Sequence, residues 1–389
     1  MKETDPKIEN GNLLIVTHFY ATGPAQELRD YFIRKKYSFD YTELPFTYAE
    51  RQKPVTTRYV SGREKYTTEG FSTPKNEFIY YLRDFFYILG KHRKKYDVAF
   101  AFDNLNAFSL ITLKKLGFIK KVVFVTVDYS PIRFKNGILN SIYHWVDKYG
   151  CYNSDVLWDS AEAMVAAREK FHNIDRAKIA PVLVVDDGND FNRKKIRAYG
   201  KIEKFRLVYM GHLRKNQGIE LLIDACSDLH KWNRKVTLSI LGGGELSGPL
   251  KEKVRSLGLE KSVFFSGYVK DHEKILDHLR KCYLAFALYE DERGGFSKYS
   301  AVGKPKAYLG CGLPVIITDV PEVARKIYAA GAGKIAKYDR KDIVKIAKTL
   351  ITNKAEYKKM RRNAIKFASE NTWDRIFSKA LADTENILY

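Results

Sequence analysis

The chain has 389 residues, 45% hydrophobic and 14% aromatic, which excludes a disordered polypeptide and fits two domains of about 150–200 residues better than one core. A formal net charge of +22 favours anionic partners such as nucleic acid, an acidic lipid surface or phosphorylated substrates, or else marks a lysine-rich solvated surface. Four scattered cysteines, Cys151, Cys226, Cys282 and Cys311, show no CxxC pair and no metal spacing, so they read as buried thiols of a cytoplasmic protein and not as a disulfide frame.

The polar start Met1–Pro6 holds no signal-peptide apolar core, and no apolar run reaches about 18 residues, so a soluble or surface-bound protein is expected. Residues 13–17 read as a buried strand, followed by a loop with Gly23-Pro24 and a helix over about 25–35. Short apolar runs at 97–102, 122–127 and 182–185, with a helical stretch at 106–117, predict a parallel sheet with βαβ crossovers. The polar, turn-rich residues 186–195 open a linker. A second alternating series follows, with strands predicted at 207–210, 237–241, 263–265, 284–287 and 314–318. Helices are predicted near 219–230, 250–257, 272–281 and 305–310, and the tail from Lys341 is helical with Trp373 packed. Two doubly wound sheets of this kind are expected to face a central cleft, with ligands outside the carboxyl ends of the strands.

Several strand ends carry candidate chemistry. Gly211, His212, Arg214 and Lys215 leave one strand and precede a helix, where glycine admits a phosphate and the helix start offers free N–H groups. Gly242–Gly244 form a sharp turn after the next strand, and Tyr268 follows another as a stacking surface. The loop holding Glu290, Glu292, Gly295 and Phe296 offers carboxylates to sugar hydroxyls. Lys304, and less so Lys306, can reach a phosphate across a helix start. In the first half, His18 and Gly23 leave the first strand, and Asp128, Tyr129 and Arg133 leave another.

Residues 51–95 hold eleven Lys/Arg against four acids, with aromatics interleaved from Tyr59 to Tyr87. That composition suits a helical or mobile segment on an anionic membrane surface. It equally describes a long loop and a core helix at 78–89 with a solvated tail. Net charge alone supports nucleic-acid binding, yet no recognition module with a sequence signature is present.

Met210-Gly-His-Leu213 with Gln217-Gly-Ile-Glu-Leu-Leu-Ile-Asp-Ala225, Leu241-Gly-Gly-Gly-Glu245, Val263-Phe-Phe-Ser-Gly-Tyr-Val269 and Tyr308-Leu-Gly-Cys-Gly-Leu-Pro-Val-Ile316 together resemble the C-terminal domain of retaining GT-B glycosyltransferases similar to family 4. The first half is similar only in its strand–loop pattern. The resemblance implies a GT-B fold of two Rossmann-like domains: an acceptor-binding domain over 1–190, a linker at 191–204, a nucleotide-sugar domain over 205–372, and a helix at 373–389 crossing back to the first. It also implies sugar transfer from a UDP- or GDP-linked donor to a lipid-linked or glycan acceptor, with retention and with no metal or further cofactor.

From their places at strand ends and a helix start, and not from a motif match, Asp128, Arg214 and Lys304 are the expected catalytic residues. The donor contacts are Gly211, His212, Lys215, Gly243, Tyr268, Glu290, Glu292, Gly295, Phe296 and Lys306, and the acceptor contacts are His18, Gly23, Tyr129 and Arg133. The chain departs from the family at His212, where an arginine is usual, and at Gln217, where a lysine is usual. The two-glutamate motif falls on Tyr299 and Ala307, and Asp128 stands where a histidine is common. These departures leave open a catalytically silent GT-B protein that scaffolds or regulates an active transferase. The expected location is cytoplasmic, with residues 51–95 resting on the inner face of the cell membrane.

Overall fold

The structure, a computed structural model, describes residues 8–19, 23–46, 52–72, 77–292 and 295–389, with only the backbone of Glu77 and Phe78. Arg51 and Lys75 of the basic segment lie outside these residues, as do positions 1–7, 20–22 and 293–294. The chain divides into two compact units: one runs up to Asp186 and includes Trp373–Tyr389, and the other is Asp187–Thr372.

In the first unit β1 (Leu13–Phe19), α1 (Pro24–Arg34) and β2 (Phe39–Pro45) form a βαβ start. β3 (Val55–Val60) and β4 (Arg63–Glu69) follow as an antiparallel hairpin. Then come α2 (Glu77–Lys91), β5 (Tyr96–Phe102), α3 (Asn104–Lys115), β6 (Ile119–Thr126), α4 (Gly137–Asn153), β7 (Val156–Asp159), α5 (Ala163–His172) and β8 (Val182–Val184). The sheet order is β4-β3-β2-β1-β5-β6-β7-β8, parallel except where β3 meets β2 and β4.

The parallel strands alternate their buried residues between two layers. Leu13, Ile15, Val98, Phe100, Val123 and Val125 face α1, while Leu14, Val16, Ala99, Ala101, Val122 and Phe124 face α3 and α4. The described part of the basic segment is the edge hairpin β3–β4 and the helix α2, which buries Tyr80, Asp84 and Ile88 and exposes Ile79, Leu82 and Phe86. Val60 and Arg63 pair across Ser61-Gly62, both at positive φ (49° and 73°), as a tight two-residue hairpin turn requires. β4 is almost wholly exposed and charged, the usual protection for an edge strand.

The second unit contains β9 (Arg206–Met210), α6 (Ile219–Trp232), β10 (Thr237–Leu241), α7 (Ser247–Ser256), β11 (Val263–Gly267), α8 (His272–Leu279), β12 (Leu284–Ala287), α9 (Gly303–Gly310), β13 (Val315–Thr318), α10 (Val323–Ala329), β14 (Gly333–Ala336), α11 (Arg340–Thr352) and α12 (Lys354–Glu370). Its six parallel strands run β11-β10-β9-β12-β13-β14. Side chains at Asp271, Asp339 and Asn353 cap α8, α11 and α12 by accepting from first-turn amides. Residues 191–204 pack into this unit, with Phe191 against one core and Ile202 inside the other. Asn189 donates from Nδ2 to the carbonyls of Ala368 and Asn371 (3.0 and 2.7 Å).

The last helix, α13 (Trp373–Leu388), belongs to the first unit. Phe377, Ala380 and Leu381 join the core above α1, and Trp158 donates from Nε1 to Thr384 Oγ1 at 2.7 Å. Trp373 is half-buried and stacks on Phe377 at 5.3 Å. The four cysteines are buried and unbridged.

A fully buried cation ties the carboxyl ends of β6 and β7 to α4 and α5. Arg168 bonds Asp147 through Nε (2.9 Å), Asp159 through Nη1 (2.6 Å) and Thr126 through Nη2 (2.8 Å). Burial raises the pKa of Asp159, against the pull of Arg168, so the pair stands or falls together. Replacing one partner of such a pair leaves a buried charge unmet. Arg168→Met is therefore expected to lower the unfolding free energy of the first unit by about 3–5 kcal/mol, measured by urea denaturation.

Candidate functional site

The second sheet reverses its winding between β9 and β12, and ligands of such sheets bind outside the strand ends at that reversal. Gly211 follows β9 there with φ +143°, and a Cβ on it would lie 2.7 Å from Lys304 Cδ and 3.0 Å from Nζ. Gly242 follows β10 with φ +135°, and its added Cβ would stand 2.1 Å from the Gly211 carbonyl oxygen. The two turns lock through backbone alone: Gly211 N–H donates to Leu241 O (2.9 Å) and Leu213 N–H to Gly243 O (3.0 Å). Only glycine permits both the dihedral and the approach.

Lys304 enters from the first turn of α9, whose preceding residue Val302 makes no side-chain cap bond. Its ammonium donates to Tyr209 Oη (3.2 Å) and to Gln217 Oε1, and stands over the rings of Tyr209 (4.9 Å) and Tyr289 (5.1 Å). No described carboxylate forms an ion pair with it. Burial pushes its pKa down to about 7, as desolvation without a counter-charge does. The departure at Gln217 gains a physical reason here. A lysine at 217 would face the Lys304 ammonium across one hydrogen bond, whereas the amide oxygen accepts from it.

The rest of the β9–α6 loop is open. His212, Arg214 and Lys215 are exposed. Partial burial, then the cations Arg214 and Lys304, hold the His212 imidazole below its usual pKa. Tyr268 is 74% exposed and lies beside Gly243, with an added Cβ at 3.8 Å from its own Cβ. The 290–292 segment docks on the same loop, since Glu290 N–H donates to Asn216 O (3.3 Å) and Glu292 Oε2 accepts from Asn216 Nδ2 (3.2 Å). Gly295 and half-buried Phe296 open a short 3-10 turn after it.

Lys306 is a correction. It is buried, and its ammonium donates to the Asp187 carbonyl at 2.6 Å. It ties the start of the unit to α9.

In the first unit the winding reverses between β1 and β5. His18, near the end of β1, binds Asp103 Oδ2 through Nδ1 (2.5 Å) and Asp84 Oδ2 through Nε2 (3.2 Å). Burial opposes its charge, but Asp103 and then Asp84 outweigh it and push the imidazole up to about 10. His18 is thus a buried imidazolium clamped by two carboxylates. Asp103 caps α3 at φ 84° by accepting from Asn106 N–H at 2.9 Å, a backbone strain of the kind functional sites hold.

Gly23 caps α1 and donates its N–H to Gln26 Oε1 at 3.0 Å. Asp128 and Arg133 form a partly exposed ion pair of 2.7 Å. Tyr129, by contrast, is a core group, 1% exposed and packed edge-on against His144 and His172 beneath the Arg168 guanidinium. Asp84, Asp103, Tyr209 and Tyr289 escaped the sequence reading. Among the described residues, no group of three or more His, Cys, Asp or Glu could hold a metal ion.

Residues 191–367 match the family model described as glycosyl transferases group 1. A mannosylfructose-phosphate synthase of Agrobacterium fabrum is 30% identical over 207 residues, 51% of this chain and 44% of that protein, so the match spans less than half of the relative's length. Among solved structures, sucrose-phosphate synthase from Thermosynechococcus elongatus aligns over 97% of this chain and 99% of its own, at TM-score 0.72 and 13% identity. An E. coli trehalose-6-phosphate structure bound with UDP-2-fluoro glucose aligns over 96% and 99%, at TM-score 0.70 and 11% identity. Anabaena HepE in complex with UDP and glucose aligns over 95% and 99%, at TM-score 0.65 and 14% identity. At these identities the structures establish the fold. The chain has the GT-B fold, and residues 191–367 of its second unit match the group 1 glycosyl transferase model.

Proposed function

We propose that this protein is a glycosyltransferase that moves a sugar from a UDP- or GDP-linked donor to a lipid-linked or glycan acceptor, with retention and with no metal. The observation that carries the reading is Lys304, a desolvated ammonium with neutral partners, held against the Gly211 turn at the winding reversal. Support comes from the group 1 match and from the UDP and UDP-sugar complexes of fold neighbours.

In this reading the donor diphosphate lies against Gly211, the start of α9 and Lys304, with Arg214 and Lys215 closing over it. As the glycosidic bond breaks, charge grows on the leaving diphosphate. A fixed cation in a partly dry site stabilises that charge more than an exposed one. Tyr268 stacks on the base, and Glu290 or Glu292 takes sugar or ribose hydroxyls in place of the glutamates missing at Tyr299 and Ala307. The first unit takes the acceptor, with the Asp128–Arg133 pair and the His18–Asp103 cluster at its strand ends.

Lys304→Met is expected to weaken UDP binding at least about tenfold in titration calorimetry while leaving the melting temperature unlowered, because a desolvation cost disappears with the charge. Unchanged affinity removes Lys304 from the site.

The pH dependence has a definite sign. Free Lys304 is protonated below about 7 and neutral above it, and only the charged form attracts the diphosphate. UDP affinity should therefore fall between pH 7 and 9, approaching tenfold per unit, and Lys304→Arg should flatten the slope. A parent profile that is level over this range contradicts the assignment.

The neutral residues at 212, 217, 299 and 307 also support a catalytically silent scaffold. With a panel of UDP-, GDP- and dTDP-sugars the enzyme hydrolyses or transfers at least one sugar, with the donor's anomeric configuration kept in the product. The scaffold releases none, even where nucleotide binds.

A further inference from the structure

We propose that the apolar face spanning α2, α3 and α4 of the first unit docks on an anionic lipid bilayer. This inference does not depend on the sugar-transfer reading.

On α4 and the segment before it, Ile132, Ile138, Leu139, Ile142 and Trp145 are 59, 74, 50, 53 and 59% exposed. Ile138, Ile142 and Trp145 recur at helical spacing, so they share one side. On α2, Ile79, Leu82 and Phe86 are 44, 45 and 65% exposed, also at one helical face. A chain of rings joins the helices: Phe86 to Phe85 (5.4 Å), Phe85 to Phe108 of α3 (5.7 Å), and Phe108 to Trp145 (6.2 Å). Scattered exposed apolar residues are ordinary, but a contiguous set of this size marks an interaction surface.

Charge selects the occupant. Residues 131–146 contain Arg133 and Lys135 and no Asp or Glu, with Arg133 paired to the preceding Asp128 at 2.7 Å. The carboxylates on α2 and α4 whose side chains are described, Asp84 and Asp147, are buried against Arg83 and Arg168. Lys115, on α3, stands over Tyr149 at the far end of the seam. An apolar face with basic flanks and an exposed tryptophan fits the headgroup boundary of an acidic bilayer. A second copy of this chain is disfavoured, because a net charge of +22 repels itself.

Of residues 51–95 this face uses only the exposed side of α2, and it adds α3 and α4, which lie outside that stretch. In that stretch Tyr80 is buried, Tyr59 stacks on Phe39 at 4.7 Å, and the hairpin strand β4 is exposed and largely charged.

The test is co-sedimentation of the full chain with vesicles of phosphatidylcholine alone and with about 30 mol% phosphatidylglycerol. The proposal expects binding to the acidic vesicles only, weakened by salt. Ile138→Glu with Ile142→Glu should reduce it at least about tenfold without a change in melting temperature. Trp145 fluorescence, taken as parent minus Trp145→Phe, should shift to the blue on binding. The proposal is overturned if acidic vesicles are not bound, if the double variant binds as the parent does, or if light scattering shows a dimer that the double variant dissolves. Nucleotide titration of the same double variant reads the donor site separately, and its result leaves this one unaffected.

Discussion

The proposed donor site of the second unit depends on one constraint: a half-buried ammonium with which no carboxylate among the described residues forms an ion pair. Lys304 has a hydroxyl, an amide oxygen and two aromatic rings for company. Such surroundings hold a cation in place without neutralising it, so the site is preorganised for an anion and is unfavourable until one arrives. The interlocked turns at Gly211 and Gly242 let the lysine lie directly against backbone. A side chain at either turn would push the loops apart and move the ammonium.

On the proposed reading, this arrangement lets the chain depart from the residues usual in the family it resembles and still bind a phosphate. Positive charge is absent at 212 and 217, and Gln217 instead orients the lysine that supplies it from α9. Arg214 and Lys215 remain exposed on the same loop, where water screens them. The half-buried cation supplies strength; the exposed pair supplies reach.

Much of the architecture was legible in the amino-acid order, because central parallel strands are short continuous apolar runs and need no partner information to be seen. The strands at 13–17, 97–102, 122–127 and 237–241 appear where their hydrophobicity puts them. β3 and β4 were missed because an exposed edge hairpin carries charged residues in place of an apolar run, although Ser61-Gly62 was a usable turn signal. Of the site, the glycine turns and Lys304 could be read locally. Lys306 was misread because residues two apart on a helix point to different sides, which sends 304 to the turn and 306 to Asp187. Tyr129 turns into the core beside partly exposed Asp128, since neighbouring residues of an extended segment point to opposite sides. Tyr209, Tyr289, Asp84 and Asp103 gain meaning only through partners tens of residues distant, which no local pattern encodes.

The most direct measurement is an NMR titration of the Lys304 ammonium with labelled lysine, assigned through Lys304→Arg, in the free protein and with UDP. The account predicts a free pKa of about 7 that rises when UDP binds. A free pKa near the ordinary lysine value of 10.5, or one that UDP leaves unmoved, contradicts it.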